Sequence, residues 1–200
     1  MGLVGNNGAG KTTAFSLLLD LIQATKGEVL SKGKDVAKNE EWKSYTSAFL
    51  DETFLVDFLT PDEYFIFVSR LHNMSKGDTS DFLSQFTEFF NGEILGKKKY
   101  IRDLSKGNQK KVGIVAALMG NPELVILDEP FASLDPTSQN RLKNLIKERS
   151  ENHTFLISSH DLTHVADVSS RIVILEKGRL VMDNQKTEES IEQMKKYFEV

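Results

Sequence analysis

The chain has 200 residues, of which 40% are hydrophobic and 27% charged, as in a globular protein with one domain or a domain and a subdomain. The formal net charge of -4 argues against a dedicated nucleic-acid binder, which is usually basic. The absence of cysteine excludes disulfides, thiolate zinc sites and cysteine nucleophiles, and it agrees with a reducing cytosol. No apolar run approaches the roughly 18 residues of a membrane span, and we expect no signal peptide.

The stretch from Gly5 to Thr12 has the spacing G-x-x-x-x-G-K-[ST] of a phosphate-binding loop. Glycines let backbone N–H groups turn toward phosphate oxygens, and the N-terminus of a following helix adds a positive dipole end. Leu3 and Val4 before the loop predict a strand, and apolar residues after it have helical spacing: Phe15, Leu18, Leu19 and Ile22. A glycine-rich turn that merely caps a core helix is the alternative. The agreement of loop, lysine, threonine and helix argues against that alternative.

The predicted phosphate-binding residues are Gly5, Asn6, Asn7, Gly8, Ala9, Gly10, Lys11, Thr12 and Thr13. Lys11 would reach the β- and γ-phosphates, and the Thr12 hydroxyl would hold Mg²⁺. A strand that feeds such a loop is normally central in its sheet. Because this strand begins at the first residue, we expect the natural chain to have further strands before it.

The next segments predict short strands over 27–30 and 47–50, with a turn over 32–35 between them. The second of these strands ends at two carboxylates, Asp51 and Glu52.

The middle of the chain has a helical period. Thr60 would cap a helix, and Pro61 would take its first position. The composition of residues 73–78 predicts a loop. A further amphipathic helix is predicted over 82–90, and its apolar residues are more typical of a buried helix face than of a ligand site: Phe82, Leu83, Phe86, Phe89 and Phe90. We interpret this strand-poor middle as a helical subdomain inserted into a sheet domain.

The last third returns to strands, which are predicted over 124–127 and 154–158 and as a hairpin over 171–182. One helix is predicted to begin at Asp135-Pro136, and a charged helix covers 187–198. Because strands alternate with helices, the fold class is predicted to be α/β, with a mostly parallel sheet flanked by helices.

Two adjacent carboxylates, Asp128 and Glu129, follow the apolar strand at 124–127. Ligands of open α/β sheets bind at the carboxyl ends of the strands. Asp128 would hold Mg²⁺ through water, and Glu129 would polarise an attacking water. An Asp-Glu pair in an ordinary turn is the alternative, and the phosphate-binding loop makes it much weaker.

Three further motifs make the chain resemble the nucleotide-binding domain of an ABC (ATP-binding cassette) protein. Leu104-Ser105-Lys106-Gly107-Asn108 resembles the LSGGQ signature, Ser133-Leu134-Asp135 resembles the D-loop, and His160 resembles the switch histidine. All of these stand in family order, and the resemblance covers essentially the whole chain. It implies a P-loop NTPase of the RecA-like type.

The resemblance also implies the division of the chain. A RecA-like lobe would comprise residues 1–50 and 120–200, and a helical signature subdomain would comprise 51–119. The helix at 187–200 would end the single ABC ATPase domain, which would lack its usual N-terminal strands.

The resemblance assigns roles to individual residues. Glu129, His160 and Lys11 would be catalytic. The signature residues Ser105, Lys106 and Gly107, together with Asp135, would contact ATP held by a second cassette. Thr12, Asp128 and Asp51 would hold the metal, with ATP and Mg²⁺ as the implied ligands.

The family works as a head-to-tail dimer, in which one phosphate-binding loop and the other signature enclose each nucleotide. The resemblance therefore implies a second cassette, identical or different, and a separate transmembrane permease, with no nucleic acid expected. It places the protein in the cytoplasm, peripheral to the inner face of the cell membrane. The permease would dock near residues 51–65, where Phe54, Leu55 and Phe58 are either groove contacts or ordinary core residues.

Some positions depart from the family pattern. Lys106 replaces the first glycine of the signature and Asn108 its glutamine, a variant similar to that of cassettes paired with type-two exporter permeases. The Q-loop glutamine is absent, and Asp51, with Glu52 beside it, stands in its place. The adenine-stacking aromatic of the family lies upstream of the loop, where this chain has nothing, so we expect weakened nucleotide binding dominated by phosphate and Mg²⁺ contacts.

The leading interpretation is an energy-coupling ATPase subunit of a membrane transporter, most consistent with an exporter. One alternative is a soluble ABC ATPase that acts on ribosomes or DNA, but such proteins usually carry two cassettes, long linkers or coiled-coil insertions. The other alternative is a degenerate regulatory cassette that binds ATP without turnover. The presence of Lys11, Ser105, Glu129 and His160 argues against lost catalysis.

Overall fold

The computed structural model describes residues 1–198. Its strands are β1 (Gly2–Val4), β2 (Leu30–Ser31), β3 (Lys34–Asp35), β4 (Thr46–Phe49), β5 (Leu124–Leu127), β6 (Thr154–Ser159), β7 (Arg171–Glu176) and β8 (Arg179–Gln185). Its helices are α1 (Lys11–Leu18), α2 (Pro61–Leu71), α3 (Lys76–Ser84), α4 (Thr87–Phe90), α5 (Lys106–Ala117), α6 (Pro136–Arg149), α7 (Leu162–Val168) and α8 (Glu188–Phe198). Short 3₁₀ turns cover Glu41–Ser44, Glu52–Phe54 and Ile101–Asp103.

Six strands form one sheet in the order β4-β5-β6-β1-β7-β8, and β2 pairs with β3 in a separate hairpin. All pairings in the large sheet are parallel except that of β7 with β8. The predicted α/β fold with a mostly parallel sheet is therefore confirmed, and the strand before the phosphate-binding loop lies inside the sheet as expected.

The register of the sheet decides where the functional residues meet. Val4 at the end of β1 lies opposite Ser159 at the end of β6, and Leu127 at the end of β5 lies opposite Ile157. Because the three strands run parallel, the residues that follow them emerge at one edge of the sheet.

Alternating residues of β1 pack into two different cores. Leu3 packs with Phe15 of α1 on one face, whereas Val4 packs with Val165 of α7 and Met194 of α8 on the other. Successive side chains of a strand point to opposite faces, so both faces of the sheet are covered by helices. This covering explains why the central strands are apolar without alternation.

Helices α2 to α5 form the strand-poor middle of the chain. Phe65, Phe86 and Phe90 are buried together, with ring centroids 5.7 and 6.2 Å apart for the two pairs that contact Phe90. The core role predicted for the phenylalanines is thus confirmed. Helix α2 begins as predicted, since Thr60 and Glu63 form a reciprocal capping box before and after Pro61.

Several predicted boundaries were wrong. Ser75 and Asp78 form a capping box that starts α3 at Lys76, inside the predicted loop. The predicted helix over 82–90 is divided between α3 and α4. Ile22 lies beyond the end of α1 and is 44% exposed.

Of the predicted strand over 27–30, only Leu30 belongs to a strand, and α7 was not predicted at all.

Within residues 1–198, no helix combines the length and the apolar character that a membrane span requires.

Candidate nucleotide and metal site

The phosphate-binding loop joins β1 to α1 and is tightly folded. A side chain at Gly5 would place its Cβ 2.4 Å from the backbone oxygen of Leu175, so the close approach of β7 requires glycine. Gly10 has a φ of 104°, a conformation that other residues rarely adopt. Lys11 is buried, and its Nζ donates hydrogen bonds to the backbone oxygens of Gly5 at 2.7 Å and Asn6 at 3.3 Å. The lysine therefore lies within the loop that it was predicted to serve.

Thr12 and Asp128 form the candidate metal site. The Thr12 hydroxyl donates a hydrogen bond to Asp128 Oδ2, and the Ser158 hydroxyl donates one to Asp128 Oδ1. The Asp128 carboxylate is thus held at a fixed position, and the residue is only 4% exposed. A hydroxyl and a carboxylate are oxygen ligands of the kind that Mg²⁺ takes, with phosphate oxygens and waters completing the octahedron.

Among residues 1–198, no group of three or more histidines, aspartates or glutamates is arranged to hold a metal ion.

Glu129 lies where three predicted catalytic residues meet. Its Oε1 lies 3.2 Å from Lys11 Nζ, and its Oε2 lies 2.9 Å from His160 Nδ1. The side chain of Glu129 is 25% exposed and that of His160 is 54% exposed, so water can reach both. The structure thus brings together Lys11, Glu129 and His160, the three residues to which the resemblance assigned catalytic roles.

The backbone of Glu129 is held from two sides. Its φ is 46°, in the left-handed region that is unfavourable for a residue other than glycine. Its N–H donates to Ser158 Oγ at 2.9 Å, and its carbonyl oxygen accepts a hydrogen bond from Lys110 Nζ at 2.9 Å. Ser158 and Lys110 were both missed in the sequence analysis. Ser158 had a signal, because it ends the strand next to the carboxylate strand.

The side chain of Asp51, which was predicted to hold the metal, makes hydrogen bonds within its own turn. Its carboxylate accepts hydrogen bonds from the backbone N–H of Thr53 at 2.6 Å and from the Thr53 hydroxyl, and so caps the 3₁₀ turn that follows β4. Glu52 is the carboxylate that turns inward, with its Oε1 3.6 Å from Lys110 Nζ. The geometry therefore favours Glu52 over Asp51 as the residue that connects this segment to the site.

The signature residues lie at the N-terminus of α5. The Ser105 hydroxyl accepts a hydrogen bond from the Asn108 N–H at 3.3 Å, so Ser105 caps the helix as predicted. A Cβ at Gly107 would lie 2.8 Å from the backbone oxygen of Ser133, which explains the need for glycine at this contact with the D-loop. Ser105 and Lys106 are exposed.

Asp135 caps α6 through Ser138, whose N–H lies 3.0 Å from Asp135 Oδ1. Hydrogen bonds from the Ser138 side chain and backbone hold the pKa of Asp135 below its ordinary value, so the residue stays ionised. Within residues 1–198, no hydrogen bond or ion pair joins Asp135 or the signature residues to the phosphate-binding loop.

A cavity of about 490 Å³ opens on the β7 side of the phosphate-binding loop. The residues that line it are Asn6, Asn7, Gly8, Ala9, Leu175, Glu176, Lys177, Tyr197 and Phe198. The hydroxyl of Tyr197 donates to Glu176 Oε2 at 2.6 Å, which fixes the ring beside the cavity. Helix α8 thus brings two aromatic residues to the loop, and neither of them was predicted to lie near a nucleobase.

A central phosphate-binding loop, with a carboxylate pair at the end of a nearby parallel strand, defines this protein as a P-loop NTPase. Among protein families, the one described as ABC transporter matches residues 1–132. The chain therefore belongs to the ABC transporter family, in which it is an ATP-binding cassette.

Individual relatives agree with this assignment. The uncharacterized ABC transporter ATP-binding protein YhaQ of Bacillus subtilis (strain 168) is 35% identical over 185 residues, which cover 92% of this chain and 61% of that protein. ABC transporter A family member 11 of Dictyostelium discoideum is 31% identical, and the match covers 90% of this chain and 22% of that protein. The chain thus spans only part of the length of these relatives.

Solved structures show the same fold. One described as an ATP binding subunit of an ABC transporter has a TM-score of 0.81 at 26% identity, with 99% of this chain and 81% of that chain covered. The dimeric structure of the ATP-binding cassette MJ0796 bound to ADP and Pi has a TM-score of 0.78 at 20% identity, with 92% and 84% covered. At 20% identity the second likeness concerns the fold alone.

Proposed function

We propose that this chain binds and hydrolyses Mg·ATP as the energy-coupling subunit of an ABC membrane transporter. The observation that carries the proposal is the meeting of Lys11, Glu129 and His160 beside the Thr12–Asp128 pair. This arrangement offers a cation for the phosphates, oxygen ligands for a metal and a carboxylate for an attacking water. The three groups are those that phosphoryl transfer to water requires.

The roles follow from the contacts. Lys11 and the loop N–H groups would bind the β- and γ-phosphates, and Thr12 and Asp128 would hold Mg²⁺, which neutralises developing charge on the phosphate oxygens. Glu129 would accept a hydrogen bond from the attacking water and orient it in line with the γ-phosphorus. His160 Nδ1 must carry its proton to donate to Glu129 Oε2, which leaves Nε2 free to accept. His160 would thereby fix the orientation of the Glu129 carboxylate.

We further propose that two cassettes act head to tail. The exposed N-terminus of α5 supports this, because Ser105 and Lys106 could meet a phosphate held by another chain. A single chain would then hold half of each site.

The dimer can be tested by the rate of ATP hydrolysis. We expect specific activity to rise steeply with protein concentration until dimers are saturated. A mixture of Lys11→Ala and Ser105→Arg variants should recover activity that neither variant has alone, because one composite site in the mixed dimer is intact. Specific activity that is independent of concentration, together with no recovery in the mixture, would contradict the head-to-tail arrangement.

We propose that the permease docks on residues 51–58, which we call the docking segment. Phe54 is 58% exposed and Phe58 is 62% exposed, whereas Leu55 is buried. Exposed phenylalanines on one short segment are typical of an interaction site, so Phe54 and Phe58 are the proposed contacts and Leu55 belongs to the core. A multi-span permease encoded beside this chain would support the pairing, and the Ser-Lys-Gly signature variant favours an exporter.

The cavity beside the loop is proposed to take the nucleoside of ATP. The Thr12–Asp128 pair lies toward β5, whereas the cavity lies toward β7 on the opposite side of β1. A triphosphate whose metal-binding end faces β5 would direct its nucleoside toward β7. Tyr197 and Phe198 would then form the aromatic wall for the base.

Titration calorimetry with ATP and with inorganic tripolyphosphate tests this wall. Tyr197→Ala should weaken ATP binding about 5- to 100-fold, since base–aromatic stacking contributes about 1–3 kcal/mol. Tripolyphosphate binding should not change, because that ligand has no base. Phe67→Ala removes an aromatic ring that is 45% exposed elsewhere and should change neither affinity. Equal losses for both ligands, or no loss for ATP, would exclude a stacking role.

A further inference from the structure

Lys110 is a buried lysine that neither the phosphate-binding loop nor the signature accounts for. It lies in α5 and is 6% exposed. Burial of an ammonium group is unfavourable unless oxygen atoms surround it. Here the oxygens are the carbonyl of Glu129, at 2.9 Å from Nζ, and Oε1 of Glu52, at 3.6 Å. Lys110 thus contacts both the backbone of Glu129 and the docking segment.

The contact with Glu129 is made to its backbone, and the backbone there is strained. A residue other than glycine keeps a positive φ only where its surroundings hold it. For Glu129 the holding side-chain groups are Ser158 Oγ on the N–H and Lys110 Nζ on the carbonyl, to which the Ala132 N–H also donates at 3.2 Å. The first belongs to the sheet and the second to the helical part. Loss of the Lys110 contact would leave the carbonyl held by the longer Ala132 hydrogen bond alone. The peptide could then tilt and move the carboxylate away from the attacking water.

The contact with Glu52 adds a second consequence. Glu52 lies in the docking segment, beside the exposed Phe54. The side chain of Glu52 is 18% exposed and that of Lys110 is 7% exposed, so water weakens their attraction little. A shift of the docking segment would therefore displace the ammonium group that holds the Glu129 carbonyl.

We propose that Lys110 is a positioning residue, which fixes the orientation of the Glu129 carboxylate. Through the ion pair of Lys110 with Glu52, that orientation depends on the position of the docking segment. Lys110 acts through Glu129, and within residues 1–198 no hydrogen bond or ion pair joins it to the phosphate-binding loop. This inference rests on the proposed role of Glu129 in hydrolysis. It predicts an effect on the rate of the chemical step and none on nucleotide affinity.

Steady-state hydrolysis by the full chain separates the two effects. Lys110→Met should lower kcat about 10- to 100-fold, the loss expected from a small displacement of a catalytic group, and should leave ATP affinity unchanged. Lys110→Arg keeps the charge and should recover part of kcat. Lys143→Met is the matched control, because Lys143 is also largely buried, at 15% exposed, and pairs with Asp167 at 2.7 Å away from the site. This control should keep the normal kcat.

A double-mutant cycle tests the link to the docking segment. Glu52→Ala should lower kcat in the normal chain and have no further effect in Lys110→Met. Should Lys110→Met fail to fold, Glu52→Ala and Lys110→Arg decide, and normal kcat in both overturns the proposal. It is also overturned by normal kcat in folded Lys110→Met, or by strictly additive effects in the cycle. Normal turnover by Glu129→Gln would instead remove the proposed function, so the two failures are distinguishable.

Discussion

Glu129→Gln is expected to abolish turnover, with ATP hydrolysis about 10²- to 10⁴-fold slower, which is the usual contribution of a positioned general base. The amide has the same shape as the carboxylate but is a far weaker acceptor for the proton of water. ATP binding should persist, because the loop, Lys11 and Thr12 are unchanged. The variant also loses the negative charge 3.2 Å from Lys11 Nζ. That loss removes repulsion toward the γ-phosphate, so the ATP-bound dimer should become more stable.

Single-turnover hydrolysis and size-exclusion chromatography in the presence of ATP measure these two effects. Glu123→Gln is the matched control, because Glu123 pairs with Lys32 on the surface and its side chain is 66% exposed. The control should hydrolyse ATP at the normal rate. A normal rate in Glu129→Gln would remove Glu129 from its assigned role and leave His160 as the nearest group to consider.

The shared sheet edge could be predicted from the sequence because the functional residues directly follow predicted strands of a mostly parallel sheet. The phosphate-binding loop, the Asp128–Glu129 pair and His160 each follow an apolar strand, and parallel strands bring their carboxyl ends together. The registers of β1, β5 and β6 place them as predicted. No knowledge of side-chain packing was needed for this part of the site.

Side-chain direction within a loop could not be predicted in the same way. Asp51 and Glu52 are adjacent carboxylates, and the sequence does not say which one faces inward. The 3₁₀ turn after β4 decides this, because Asp51 becomes its cap and Glu52 is left to meet Lys110. A lysine on the buried face of a helix likewise gives no signal until its oxygen partners, which are distant in sequence, are known.

Helix breaks and contacts between segments distant in sequence account for the other differences between the predicted and the observed structure. The apolar residues over 82–90 have helical spacing on both sides of a break, so their periodicity does not reveal the end of α3 at Ser84. The aromatic residues of α8 lie far from the loop in sequence and meet it only because Met194 packs α8 against the β1 face of the sheet. Local patterns cannot report such tertiary contacts.

Lys11→Ala is expected to lose nucleotide binding, with a dissociation constant about 10²- to 10⁴-fold higher. Within residues 1–198, Lys11 is the only lysine whose Nζ donates hydrogen bonds to the phosphate-binding loop. Loss of two charge-assisted hydrogen bonds to phosphate, at about 1.5–3 kcal/mol each, gives this range. Calorimetric titration with ATP and with tripolyphosphate should show the same loss, because the lysine serves the phosphates and not the base.

The loop itself must survive the change for that result to be informative. Lys11 also donates to the carbonyls of Gly5 and Asn6, so its removal could loosen the loop as well as remove a charge. Lys11→Arg separates these effects, because it keeps the charge but its planar fork does not fit a site built for a compact ammonium group. Lys26→Ala, at an exposed position, controls for net charge. If Lys11→Ala melts at the normal temperature and still binds ATP with normal affinity, residues 5–12 do not form the phosphate site.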